Sequence, residues 1–273
     1  MALERLFCAL AAVALWVTAC GAAERVDLRE GSLTLHALLY RPAGAGPFPA
    51  VVALHGCGGL GPAGAVNWRY GAWAKLLTAK GFIVLFPDSY SSRGVGSKCR
   101  SHQKVRASRE RVADANAARH WLQTQPSVRA DHISLLGWSS GAIAALWAVR
   151  PNAEPREDGA DFRSAVAFYP GCRRLRQTAW SARIPTLILV GGADERAPAS
   201  LCQQMVAGAR GRSARAEIVV YPGAGHEFDR VNAELVLSTE LPRRTPSPAK
   251  AGRRSNPRAR ADALTRVPEW LAR

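Results

Sequence analysis

The sequence predicts an α/β fold in which a mostly parallel central sheet is covered by helices on both faces. Six short runs rich in apolar residues lie at 50–54, 82–86, 133–136, 165–169, 186–190 and 217–221. Most of these runs are continuously apolar, as strands buried on both faces are, whereas half-exposed strands would alternate. Helix-length segments separate the runs, and this strand–helix repetition predicts a parallel, right-handed sheet.

The other elements follow in chain order. Residues 26–40 predict one or two edge strands at the start of the sheet. In such sheets ligands bind at the carboxyl ends of the strands, so the Gly, Pro and polar clusters that follow the strands are the candidate sites. Helices are predicted at 66–80, 104–124, 140–149, 198–209 and 259–272.

Composition and charge limit the class of protein. With 48% hydrophobic and 21% charged residues, the chain can bury a sizeable core, which excludes a wholly disordered or fibrous protein. The net charge of +16 is concentrated, because 92–129 and 241–273 each hold nine Lys/Arg against two acidic residues. Within the second segment, 241–258 combines prolines with like charges and predicts a flexible basic loop before the last helix.

The N-terminus predicts a targeting segment. Arg5 precedes an apolar run at 6–17, too short for the roughly 20 residues of a membrane-spanning helix, and small residues follow. We predict a signal peptide over 1–23 and a single domain over 24–273, in a protein that is periplasmic or secreted. Cleavage before Glu24 is the preferred outcome. The alternatives are a lipoprotein anchored to the membrane through Cys20, and a buried N-terminal helix.

Export changes how the cysteines are interpreted. Cleavage would remove Cys8 and Cys20 and leave an even number of cysteines in an oxidising compartment, where disulfides persist. Their pairing is open at this point. The four that remain are Cys57, Cys99, Cys172 and Cys202.

A nucleophile elbow is predicted at 137–141. These residues read Gly-Trp-Ser-Ser-Gly, between the strand at 133–136 and an apolar helical run. In that context G-x-S-x-G lifts its middle serine above the sheet, so Ser139 rather than Ser140 is the predicted nucleophile. The alternative is an ordinary glycine-rich turn.

The downstream chain supplies the partners that a serine nucleophile needs. A serine hydroxyl requires a base, and the base requires an orienting carboxylate. Asp194 follows the strand at 186–190, and His226 follows the strand at 217–221, which gives the Ser, Asp, His order of the α/β-hydrolases. Asp194 is preferred to Glu195 because it comes first after a double glycine. The remaining histidines are predicted to be structural or exposed: His36, His55, His102, His120 and His132.

A tetrahedral intermediate also needs hydrogen-bond donors. One is predicted to be the backbone N–H of Ser140, and the other is the N–H of Cys57 in the turn after the strand at 50–54. A reactive Cys57 nucleophile is the competing interpretation.

At these residues the chain resembles the dienelactone hydrolase family of α/β-hydrolases over about 25–273. The resemblance rests on the motifs at 55–59, 86–90, 137–141, 169–172, 191–194 and 225–228. It implies an α/β-hydrolase fold and a monomeric hydrolase of small esters or lactones that uses no cofactor and no metal. Two departures, Ser139 in place of the family's cysteine and Gly56 in place of a glutamate, favour a general carboxylic ester hydrolase over a dienelactone hydrolase.

The resemblance also implies further residue roles. The family's sheet order places Cys57 and Cys99 after neighbouring strands, and Cys172 and Cys202 likewise, which implies these two disulfides. Arg93 lies on the loop above the site, where family members hold a substrate carboxylate. Its alternative is simply to solvate the loop. Trp138 is expected to pack beside the substrate pocket.

Two other functions compete with ester hydrolysis. The same triad could cleave peptides. A basic binder of nucleic acid or anionic surfaces belongs to a different class, but the basic segments lack interleaved aromatic residues and any recognisable nucleic-acid module.

Overall fold

The computed structural model describes residues 23–61, 66–97, 99, 105–151, 159–230 and 255–273. Its centre is one eight-stranded sheet with the strand order β1-β2-β4-β3-β5-β6-β7-β8. The strands are β1 Glu24–Glu30, β2 Leu33–Tyr40, β3 Phe48–Leu54, β4 Ile83–Pro87, β5 Val128–Trp138, β6 Ala165–Phe168, β7 Thr186–Gly191 and β8 Ala216–Tyr221. The helices are α1 Trp68–Ala79, α2 Glu110–Gln123, α3 Ser140–Ala148, α4 Arg173–Gln177, α5 Ala199–Gly208 and α6 Pro257–Leu271, with a short 3-10 turn at Ser91–Arg93.

The predicted α/β architecture is confirmed. Strands β3 to β8 pair in parallel, while β1 and β2 are antiparallel additions at one side. The segment 26–40 forms two strands, but only β1 lies at the edge, because β2 pairs with β4 inside the sheet. The helix expected at 104–124 begins at Glu110. Helix α4 was missed because its five residues, RRLRQ, have a single apolar side chain and no helical periodicity.

The sheet separates two apolar clusters, and this explains its continuously apolar strands. In β3, Ala50, Val52 and Leu54 face a cluster covered by α2, α3 and α5. Val51 and Ala53 face the opposite cluster, which α1 and α6 cover. Residues 50–54 of β3 are therefore all buried, as is typical of parallel strands between two helical layers.

Both disulfides implied by the family resemblance are present. Cys57 is bonded to Cys99, and Cys172 is bonded to Cys202. The second pair joins the residue before α4 to the middle of α5.

Several predictions concern residues outside the described ranges. Residues 1–22 of the leader predicted over 1–23, including Cys20, lie outside these ranges, and so do His102 and the part of the basic loop before residue 255. The end of the predicted loop is described, and it differs from the prediction because α6 already begins at Pro257, capped by Asn256. Across the described residues, none of the helices has the length and apolar character that crossing a membrane requires.

Candidate active site

Ser139 occupies a sharp turn between β5 and α3. Its backbone angles are φ 52° and ψ −113°, a region that non-glycine residues rarely adopt. The Ser139 N–H donates to the carbonyl oxygen of Phe168 at 2.9 Å, and its own carbonyl accepts the N–H of Ile143 at 2.9 Å. The neighbouring strand and the first turn of α3 thus fix this strained residue from both sides.

The first glycine of the elbow is required by close packing. A Cβ atom on Gly137 would lie 2.4 Å from the carbonyl oxygen of Gly141, closer than real Cβ atoms approach backbone atoms. Strand β5 and helix α3 can therefore meet at this distance only if residue 137 has no side chain.

The three predicted triad side chains form one chain of hydrogen bonds. His226 Nδ1 lies 2.7 Å from Asp194 Oδ2, and its Nε2 lies 3.0 Å from Ser139 Oγ. A carboxylate only accepts, so Nδ1 carries the proton and Nε2 accepts the hydroxyl of Ser139. This is the nucleophile–base–carboxylate arrangement that serine hydrolases need. The catalytic role of each residue stays a prediction.

The carboxylate of Asp194 is fixed on both of its oxygens. Oδ1 accepts the backbone N–H groups of Arg196 at 2.9 Å and Ala197 at 3.0 Å, which leaves Oδ2 for His226. The side chain of Asp194 has no exposed surface, whereas Glu195 is exposed. The geometry therefore agrees with the choice of Asp194 over Glu195.

The predicted oxyanion donors lie on two adjacent turns. Ser140 is the first residue of α3, and the first N–H groups of a helix have no acceptor within the helix. On the other turn, the N–H of Gly56 donates to the Tyr70 hydroxyl at 2.8 Å. A Cβ on Gly56 would lie 3.8 Å from Ser139 Cβ, so this turn approaches the nucleophile closely. A donor role for Cys57, which follows Gly56, remains a prediction.

The same turn leaves little room for a side chain at position 56. A Cβ at position 56 would lie 3.3 Å from the Tyr70 hydroxyl and 3.4 Å from the carbonyl oxygen of Trp138. Both contacts are tight, so a side chain at position 56 would require its neighbours to shift by a few tenths of an ångström. Cys57, the competing nucleophile, is tied into the disulfide with Cys99 and has no free thiol.

His55 is buried and neutral. Its Nδ1 donates to the carbonyl oxygen of Gly56 at 2.8 Å, and its Nε2 has no hydrogen-bond partner. Burial, followed by the positive charge of Arg111, lowers the pKa of His55 from its ordinary value of 6.5 to about 3. These contacts agree with the structural role expected for His55.

Arg93 is engaged by the protein itself. Its two terminal nitrogens donate to both oxygens of Asp114, at 2.9 and 2.7 Å, and Nη1 also donates to the carbonyl oxygen of Ser89. The side chain of Asp114 has no exposed surface. These bonds use three of the five guanidinium N–H groups, so a substrate carboxylate would have to bind the two that remain or displace Asp114, and that role stays a prediction.

Trp138 differs from its expected place at the substrate pocket. Its side chain has 0% exposure, so in this structure it lies beneath the site. It stacks against Phe168 with ring centroids 5.8 Å apart. The residue has this position because side chains alternate across a strand and Trp138 is the last residue of β5, directed into the core beside the elbow.

Sequence reasoning missed a second arginine beside the nucleophile. Arg111 of α2 is 1% exposed and donates from Nη1 to the Ser140 hydroxyl at 3.3 Å. Its guanidinium also lies over the ring of Tyr90, 5.3 Å from the centroid, and burial lowers its pKa. No local signal reveals this, since an arginine after a glutamate at the start of a helix is typical of an exposed face.

Two further observations concern the described residues. In the parts of the chain described above, His, Cys, Asp and Glu side chains form no group that could hold a metal ion. A groove of about 590 Å³ runs along β2 beside Leu60, Val66 and Asp88, and no triad residue lines it.

A mostly parallel sheet with Ser139 at a strand–helix turn, and with Asp194 and His226 after two later strands, defines an α/β-hydrolase fold. The family model for the dienelactone hydrolase family matches residues 35–273, and the chain belongs to that family.

Relatives in sequence share parts of the chain. A Bradyrhizobium protein named "probable 2-oxo-3-(5-oxofuran-2-ylidene)propanoate lactonase" is 25% identical over 221 residues, which cover 74% of this chain and 82% of that protein. An uncharacterised protein of Mycobacterium tuberculosis, found in two strains, is 32% identical over 133 residues, which cover 42% of this chain. That match spans 45% of the relative, less than half of its length.

Solved structures share the fold. A dienelactone hydrolase-like promiscuous phosphotriesterase from metagenomic libraries superimposes with a TM-score of 0.66 at 18% identity, covering 92% of this chain and 97% of that one. Esterase 2 of Thermogutta terrifontis, phosphorylated by paraoxon, gives a TM-score of 0.65 at 20% identity, with coverage of 92% and 93%.

Proposed function

We propose that the protein is an exported serine hydrolase that cleaves carboxylic esters or lactones through an acyl-enzyme intermediate. The observation that carries this proposal is the chain of hydrogen bonds from Asp194 through His226 to Ser139, with the serine at a strained elbow. Membership of the dienelactone hydrolase family supports the same reaction class. The two disulfides support an oxidising compartment.

In the first half of the reaction, Ser139 Oγ attacks the carbonyl carbon of the ester. His226 Nε2 takes the hydroxyl proton, and Asp194 stabilises the imidazolium that forms. The carbonyl oxygen becomes an oxyanion, facing the N–H groups of Ser140 and Cys57 and the positive end of the α3 dipole. When the intermediate collapses, the C–O bond to the alcohol breaks and His226 returns the proton to the leaving oxygen.

In the second half, water replaces the alcohol. His226 takes a proton from water, the hydroxide attacks the acyl carbon, and collapse of the second intermediate releases the carboxylic acid and restores the Ser139 hydroxyl. With a lactone the leaving alcohol stays covalently joined to the acyl group, so the product is a single hydroxy acid.

Three of the nine basic residues in the segment 92–129 are poorly placed for a nucleic-acid function. In the segment 92–129, Arg111 and Arg119 are almost completely buried, and Arg93 is paired with buried Asp114. These charges point into the domain, so they are poorly placed to contact a phosphate backbone.

The test compares two adjacent serines. A fluorophosphonate probe should label the wild type, and p-nitrophenyl butyrate should be hydrolysed. We expect Ser139→Ala to abolish labelling and reduce turnover to background, while Ser140→Ala, which retains the backbone N–H, remains labelled. Labelling or turnover in Ser139→Ala equal to that of the wild type would overturn the proposal. Parallel assays with anilide and lactone substrates separate peptide from ester and lactone cleavage.

A further inference from the structure

A buried carboxylate lies three residues beyond the histidine of the candidate triad. Asp229 is 3% exposed and accepts three side-chain hydrogen bonds. Oδ2 accepts the indole N–H groups of Trp73 at 2.9 Å and Trp138 at 3.1 Å, and Oδ1 accepts the Tyr169 hydroxyl at 2.7 Å. A buried carboxylate is costly unless its oxygens are satisfied, and here both are.

Two of the three donors to Asp229 lie next to the reacting groups, while the third, Trp73, belongs to α1. Trp138 immediately precedes Ser139. Tyr169 follows Phe168, whose carbonyl oxygen accepts the Ser139 N–H, and the Tyr169 ring lies against the His226 ring with centroids 4.7 Å apart. Asp229 thus joins the turn that bears the base to the turn that bears the nucleophile.

A buried arginine completes this assembly. Arg69 of α1 donates to the Tyr169 hydroxyl at 2.8 Å and to Glu227 Oε1 at 3.1 Å, and its Nη1 lies 3.8 Å from Asp229 Oδ1. The charges of Arg69 and Asp229 therefore compensate each other below the triad. Glu227, directly after His226, has a positive φ of 62°, so the histidine turn adopts a conformation that side-chain contacts must maintain.

We infer that Asp229 is a positioning residue that keeps His226 within hydrogen-bond distance of Ser139, through its bonds to Tyr169 and Trp138. The inference rests on the proposed function. Ser139 and His226 are 87 positions apart in sequence, and their hydrogen bond is 3.0 Å long. Since a misplacement of about 1 Å can cost about 100-fold in rate, a buried link between the two turns has a direct effect on the proton transfer.

The test removes the charge of Asp229 but keeps its shape. In Asp229→Asn the amide oxygen can still accept from both indoles, so we expect a folded protein, but the amide NH2 cannot accept the Tyr169 hydroxyl, which already accepts from Arg69 and so loses its acceptor. With p-nitrophenyl butyrate we expect kcat to fall about 10- to 100-fold with KM changed less than about threefold. The rate of fluorophosphonate labelling should fall by a similar factor.

A second variant breaks the same link from the other side. Tyr169→Phe removes the hydroxyl but retains the ring against His226, and it should lower kcat as Asp229→Asn does. Because both changes act on one network, the double variant should lose less than the product of the two single effects.

The matched control is Asp262→Asn. Asp262 also accepts from a tyrosine hydroxyl, that of Tyr221 at 2.6 Å, and from Arg266 at 2.7 Å, but its partners lie in β8 and α6. The kcat of Asp262→Asn should stay within about twofold of the wild-type value. A purely structural role for Asp229 would lower the melting temperature but leave kcat of the folded protein unchanged.

The outcomes separate the two proposals. The positioning role alone would be overturned if the wild type is active and Tyr169→Phe has an unchanged kcat. The same kcat is then expected for Asp229→Asn, provided that this variant folds. A wild type that neither reacts with the probe nor hydrolyses esters would overturn the proposed function, and the inference with it. A kcat loss shared by both variants and absent from Asp262→Asn supports the role of Asp229.

Discussion

A Cβ atom placed on Gly141 would lie 2.0 Å from the carbonyl oxygen of Leu54. Gly141 is in the first turn of α3, and Leu54 is the last residue of β3. The two elements therefore meet backbone to backbone directly behind the elbow. This contact brings the turn at 55–59 to the N-terminus of α3, where the two candidate oxyanion donors lie.

We expect Gly141→Ala to destabilise the protein by at least about 3 kcal/mol, at the upper end of ordinary overpacking, because the contact is with backbone atoms that cannot rotate away. An alanine is normally favourable in a helix by up to about 1 kcal/mol, so sterics here oppose propensity. The measurement is urea unfolding followed by circular dichroism.

The control for this prediction is Gly208→Ala at the end of α5, where a Cβ would meet nothing within 4 Å. That variant should be neutral or slightly more stable. Equal stabilities of the two alanine variants would contradict the steric argument.

Asp194→Asn should reduce kcat for ester hydrolysis by about 10³- to 10⁴-fold, the loss seen when a triad aspartate is replaced by its amide. The amide can present an N–H to His226 Nδ1, which would favour the wrong tautomer and leave Nε2 protonated. Steady-state kinetics on the folded variant measure the loss. Glu195→Gln, which changes the neighbouring exposed acid in the same way, should retain wild-type kcat. A comparable loss in Glu195→Gln and none in Asp194→Asn would reverse the assignment.

His55 should make the stability of the protein depend on pH. Its pKa is lowered from 6.5 to about 3, mainly by burial, so the unfolded chain binds a proton on His55 where the folded protein does not. The free energy of unfolding therefore falls as the pH is lowered from about 6.5 towards 3, and the full effect amounts to roughly 4–5 kcal/mol.

His55→Asn tests this linkage, because the amide N–H can replace Nδ1–H in the bond to the Gly56 carbonyl oxygen. We expect a smaller loss of stability between pH 6.5 and 4 than in the wild type, measured by urea unfolding at several pH values. Parallel pH profiles for the two proteins would be incompatible with a neutral His55.

The two disulfides should differ in their effect on activity. Replacing Cys172 and Cys202 together by alanine should cost roughly 3–4 kcal/mol of stability but leave kcat unchanged, because that pair joins α4 to α5. Replacing Cys57 and Cys99 should cost a similar amount and also lower kcat about 10-fold or more, because alanine keeps the backbone N–H of residue 57 but removes the disulfide that fixes this candidate oxyanion donor in place. Thermal unfolding and ester kinetics on both double variants provide the comparison. Identical kcat values would show that the Cys57–Cys99 disulfide is not needed to position the donor.

The sequence was sufficient for the architecture and for the choice of candidate triad residues. Strands such as β3 are recognisable because both of their faces are buried, and that leaves a continuous apolar run. Ser139, Asp194 and His226 are recognisable because each follows a strand directly, and the carboxyl ends of parallel strands meet at one edge of the sheet. Local spacing therefore contained the information that brings these three residues together.

Partner choice among buried polar residues was decided only by the tertiary structure. Arg93 and Asp114, or Asp229 and Trp138, are far apart in sequence, and neither residue type nor periodicity shows which pairs will meet. A buried charge such as Asp114 or Asp229 is stabilised by the donors that packing brings within about 3 Å, because an unpaired one would cost several kcal/mol. For the same reason the sequence showed that Trp138 is next to the nucleophile but not that it lies beneath it. The sequence likewise showed how many arginines the protein has, but not that several of them point into the core.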